Sequence, residues 1–231
     1  MKPPLLSCSM ALLMSCSSPT LPSSSEISPS NSVQHVAGDQ SPATKLLIAK
    51  QTSPVPSQRI SLDGIGPAKL GMPLGQLKQI LQTKAQFTIK APFIVDFNAI
   101  VVSQAGKVQY YILYPVGTTL TDSDSIEALL TDNSNYRTAK GIGAGIKLRQ
   151  AETVYGDATL SYNTSNESRE YVKFANQPVQ NVRFQVRAPE RNFAGIYSSP
   201  SKEFNTTKEF HESAVIRSVE IVCSPQICKK P

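Results

Sequence analysis

Tryptophan is absent from the 231 residues, histidine occurs twice and cysteine four times, and no apolar run reaches the ~18 residues a helix needs to cross a bilayer. The two histidines, His35 and His211, are far apart. Cys223 and Cys228 would need two further ligands to hold zinc. No metal and no cofactor is therefore expected. The basic excess is modest: 23 Lys and Arg against 17 Asp and Glu give a net charge of +6. No basic run of five or more occurs, and no aromatics interleave with the basic residues. A nucleic-acid partner, which would want a concentrated stripe, is not expected.

What is present begins at the N-terminus. "MKPPLLSCSMALLMSC" has one Lys, a short apolar-to-small segment and then Cys16, the layout of a secretory signal. Leu13-Met14-Ser15-Cys16 resembles the bacterial lipobox. That resemblance implies cleavage after Ser15, lipidation of Cys16 and an exported protein anchored to a membrane of the cell envelope. Leu5-Leu6-Ser7-Cys8 fits the same pattern but leaves too few apolar residues ahead of it for a signal core. An ordinary signal peptide cut nearby, giving a soluble periplasmic or secreted protein, is the alternative. Residues 1–15 are thus the expected signal peptide. Residues 16–58, rich in Ser, Pro and Thr, are an expected tether that cannot bury enough apolar surface to offset chain entropy. Near the other end, "VCSPQIC" places Cys223 and Cys228 around a Ser-Pro turn. In an oxidising compartment this spacing can close a small disulfide loop.

The folded part starts near Arg59 with two short strand-like runs, "RISL" and "AKL", around the turn "DGIGP". Gly71 ends the second run, and Met72-Pro73 opens a helix with Pro at its first position. Leu74, Leu77, Ile80 and Leu81 give this helix an apolar stripe. Strands are expected over 93–103 and 108–115, joined by a turn at Gly106, and a short helix over 122–132. "GIKLRQAETVY" (145–155) then aligns without gaps on "GMPLGQLKQIL" (71–81). Gly145 falls on Gly71, Leu148 on Leu74, Gln150 on Gln76 and Tyr155 on Leu81. Gly156 follows as a helix C-cap. Four more strands, "ATLSY", "EYVKFA", "NVRFQVR" and "AVIRSVEIV", complete the chain. The fold class is α+β, as two similar units of a helix packed on antiparallel strands: residues 59–135 and residues 136–231, the second with the Cys loop.

Gly71, Met72, Gln76 and Leu77, followed by antiparallel strands, resemble the repeat that opens small envelope lipoproteins of the BamE/SmpA type, with Pro73 where that pattern has Thr. Gly145, Gln150 and Tyr155-Gly156 keep part of it in the second copy. The runs "DGIGPAKLGMPL" and "KGIGAGIKL…VYGDAT" resemble exported bacterial proteins, cyanobacterial ones in particular, that carry such pairs. The resemblance covers about 40 residues in two pieces. It implies fold and location and carries no catalytic residue across.

Chemical motifs are few. "GIGAG" (141–145) precedes a helix, but neither a Walker loop nor a dinucleotide fingerprint surrounds it. Its glycines read as a tight entry turn. No G-x-S-x-G occurs, and Ser199 and Lys202 have Ser-x-x-Lys spacing in a Pro-containing loop. His211 has no evident nucleophile partner, and Asp63, Asp96, Asp157 and Glu170 show no glycosidase-like spacing. The sequons at Asn163, Asn166 and Asn205 matter only in a eukaryotic secretory pathway. Tyr110 and Tyr114 alternate with Tyr111 on one strand, so a tyrosine-bearing sheet face is a candidate binding surface. The expected function is a non-enzymatic envelope lipoprotein that binds an envelope protein, peptide or glycan through a sheet face. A secreted cell-wall hydrolase or hydrolase inhibitor is the alternative.

Overall fold

The computed structural model describes residues 58–177, 180–198, 203–225 and 228. The expected signal, Cys16 and all but the last residue of the expected tether lie outside them. The described residues form an α+β fold with two α-helices and a nine-stranded antiparallel sheet. A hairpin of β1 (Gly64–Ile65) and β2 (Ala68–Lys69) leads into α1 (Leu74–Leu81). Then come β3 (Gln86–Ile94), β4 (Phe97–Gln104), β5 (Lys107–Pro115) and β6 (Ala128–Thr131). Helix α2 (Leu148–Tyr155) is followed by β7 (Ala158–Asn163), β8 (Glu170–Phe174), β9 (Val182–Arg187), β10 (Phe204–Thr207) and β11 (Val215–Val222). Across the sheet the order is β10-β7-β8-β9-β11-β6-β5-β4-β3.

Eight-residue helices are too short to be stable alone. Here each is held by burial of three side chains at i, i+3 and i+7: Leu74, Leu77 and Leu81 in α1, Leu148, Ala151 and Tyr155 in α2. Burying one leucine side chain is worth about 2 kcal/mol. Their first-turn N–H groups, which a helix leaves without partners, find backbone acceptors. The Leu74 N–H donates to the Asp124 carbonyl at 3.0 Å, and the Leu148 N–H to the Ala214 carbonyl at 2.9 Å. Ahead of them, the Gly71 N–H donates to the Ile126 carbonyl and the Gly145 N–H to the Ile216 carbonyl, both at 2.8 Å. Gly71 and Gly145 have φ of +81° and +83°, a region costly for residues with a Cβ. Gly156 caps α2, its N–H donating to the Glu152 carbonyl at 2.8 Å.

The helix side of the sheet is the main core, with Ile100, Tyr110, Ile112, Leu129, Phe174, Phe184 and Ile221 among its buried residues. Cys223 and Cys228 stand at disulfide distance, their Cα atoms 5.4 Å apart, and pack against this core. Among the described residues no helix is long and apolar enough to cross a membrane.

Several local expectations need correction. Residues 122–132 form no helix: 128–131 are β6, the strand that joins the two halves of the sheet. Ile126, Leu129 and Leu130 match helical spacing, but Leu129 faces the helix side and Leu130 the opposite side. A central strand buried on both faces produces the same run of apolar residues. The expected strand 93–103 is two strands, broken by a turn at Val95-Asp96. Pro73 occupies the N-cap position, one residue before α1, and Ile80 is half exposed. β3 begins at Gln86, and β10 was not anticipated.

Candidate functional site

The sheet face turned away from the helices has two contrasting halves. On β4, β5 and β6 it is apolar: Ala99, Leu113, Ala128 and Leu130 are buried, with Phe93, Phe97 and Tyr111 packed over them. The Phe93 ring lies 4.7 Å from Tyr111. Tyr110 and Tyr114 point the other way into the main core, so the alternation expected for this strand holds.

On the other half the same face is polar. Strand register puts Thr206, Ser161, Tyr171, Gln185 and Ser218 in one row across β10, β7, β8, β9 and β11. Ser218 Oγ donates to Gln185 Oε1 at 3.1 Å, and Gln185 Nε2 donates to Tyr171 Oη at 3.2 Å. A depression of about 360 Å³ is bordered by Ser161, Tyr171, Lys173 and Arg183. A second, of about 460 Å³, shares Ser161 and Lys173 and reaches Phe204 and Lys208 at the β10 edge. The two make one groove, with the ring of Phe204 exposed at its end.

Where the halves meet, register places Glu220 between Leu130 and Arg183. Glu220 is buried, and desolvation raises its carboxyl above the ordinary range against the opposing pull of Arg183 and Arg169. Arg169, before β8, pairs at 2.5 Å with Asp96 in the β3–β4 turn. In a flat sheet, strands five places apart would stand about 24 Å from one another. This pair therefore requires the sheet to curl over its second face, in line with the coiling of large twisted sheets.

Glu170 is engaged structurally. Its buried carboxylate accepts from the Ala194 N–H at 2.6 Å, the Gly195 N–H at 2.8 Å and the Tyr197 hydroxyl at 2.8 Å. Burial, and then the Glu170 charge, raise the Tyr197 phenol. Asp63 pairs with Lys69 at 3.0 Å. The His211 N–H donates to the Ala194 carbonyl, and the described residues hold no group of three or more His, Cys, Asp or Glu arranged for a metal. Ser199 and Lys202 lie outside the described residues. Tyr171, Gln185, Ser218, Arg169 and Glu220 were not foreseen. Only strand register brings them together, and no spacing in the sequence encodes it.

The chain matches no family model and no curated protein. Among solved structures it is similar to the uncharacterized protein YfeY from Escherichia coli, at 12% identity and a TM-score of 0.46, over 71% of this chain and 99% of that one.

Proposed function

We propose that this chain is an exported, lipid-anchored envelope protein whose folded part is a non-enzymatic binding module, with the polar half of the second sheet face as its binding surface. One observation carries the reading. A hydrogen-bonded row, Ser218–Gln185–Tyr171, runs beside a groove flanked by Lys173 and Arg183 and ends at the exposed Phe204. Neutral donors and acceptors beside an exposed aromatic suit a glycan or an extended peptide of an envelope partner. Anchoring rests on the lipobox-like Leu13-Met14-Ser15-Cys16.

The module is further proposed to be a two-unit repeat, residues 59–135 and 136–231, of the BamE/SmpA-like kind. The paired entry bonds at Gly71 and Gly145 support this, as does a strand order that reads β3-β4-β5-β6 from one edge and β7-β8-β9-β11 inside the other. The binding claim is tested in cells with Tyr171→Ala and Lys173→Glu. Both variants fold and lose a specific crosslinked partner; full retention of that partner by both would remove the face from consideration. The anchor is tested with Cys16→Ala, which abolishes labelling by radioactive palmitate.

A further inference from the structure

On the helix side of the sheet, an apolar cavity of about 370 Å³ opens between the segment before β1, the turn after Arg137, the end of α2 and strand β9. Its walls include Ile60, Tyr155, Val182 and Phe184, none more than 5% exposed. Leu62, at 46% exposure, leaves an apolar side chain facing solvent beside the opening. The hydroxyls that border the space are engaged already. Tyr155 Oη and Thr138 Oγ1 hydrogen-bond to each other at 3.0 Å, and Ser61 Oγ donates to Asp63 at 2.6 Å. At the rim stand two cations, Arg59 and Lys140. Neither pairs with a carboxylate among the described residues, and the Lys140 ammonium sits 5.1 Å from the centre of the Tyr155 ring.

An apolar interior under two positive charges, neither paired with a carboxylate among the described residues, is complementary to one kind of molecule. We infer that the cavity is a binding site for a single-chain amphiphilic anion, a fatty carboxylate, with its chain against Ile60, Val182 and Phe184 and its head between Arg59 and Lys140. The volume lies at the small end of ligand pockets, enough for one chain of moderate length. Burial of the chain supplies the affinity, and the rim charges select the head. Gln177 and Val182 border both this cavity and the depression on the second face, but Arg59, Leu62 and Lys140 border this one alone, and the test varies only those three.

The experiment is calorimetric titration of the purified full chain with octanoate, decanoate and dodecanoate below their micellar concentrations, and with dodecanol and dodecyltrimethylammonium. The expected result is saturable one-to-one binding of the carboxylates, tightening about fourfold per added methylene until the cavity is full. Dodecyltrimethylammonium binds at least about tenfold more weakly than dodecanoate. The Arg59→Gln/Lys140→Gln double variant, whose changes are both at exposed positions, loses about tenfold for dodecanoate and nothing for dodecanol. Leu62→Trp, which crowds the opening, weakens every ligand. The inference is overturned if no carboxylate binds saturably, if the cationic amphiphile binds as tightly as dodecanoate, or if the double variant keeps its full affinity for the carboxylate.

Discussion

Tyr110 lies edge-on to Tyr136, ring centroids 6.2 Å apart, and its hydroxyl is buried with no hydrogen-bond partner among the described residues. Burial raises both phenols, that of Tyr136 to about 12. An unsatisfied buried hydroxyl is a cost the fold carries, so Tyr110→Phe is expected to raise stability by about 1 kcal/mol in urea unfolding. Glu220 makes the complementary case on the other face. Its folded carboxyl holds its proton more tightly than in the unfolded chain. Stability is therefore lost as pH climbs from the ordinary glutamate range through the folded value. Glu220→Gln should remove that loss, giving a higher melting temperature at neutral pH and no gain in strong acid. An unchanged pH profile would assign the dependence to other groups.

Among the elements, both helices and strands β7, β8, β9 and β11 were readable from the sequence, because each has one apolar face and a clear stop: Gly156 after α2, "NTSNES" after β7. β6 was misread as helix for a physical reason. A strand covered on both sides loses its alternation, and three apolar residues at 126, 129 and 130 then fit either period. β10 was missed because a short edge strand with exposed polar residues looks like a loop, and all of β3 before residue 93 because Pro92 interrupts its run. The entry turns make the sharpest prediction at this scale. Gly71→Ala and Gly145→Ala should each cost about 1–2 kcal/mol, since both positions hold φ above +80°. Similar losses at the two sites would favour the repeat; a cost at one alone would count against it. Reducing the Cys223–Cys228 pair should lower stability by about 2 kcal/mol, as expected for so short a loop.

For the molecule as a whole, the decisive contact is the Arg169–Asp96 pair, which joins the β3–β4 turn to the loop before β8. It lies 73 positions apart in the chain, so nothing local could announce it. The groove was hidden for the same reason: Thr206, Ser161, Tyr171, Gln185 and Ser218 become neighbours only once five strands are in register. The sequence pointed to a sheet face, yet it pointed to the tyrosines of β5, two of which are core. The central claim is that the polar half of this face engages an envelope partner. It is tested most directly by a photo-crosslinking residue placed at Ser161 or Thr206, which line the groove, with Gln79 on the exposed side of α1 as the control. The account predicts one defined adduct from the two sheet positions, none from Gln79, and its loss on adding Lys173→Glu. Adducts of equal yield from all three positions, or none from the sheet, would contradict it.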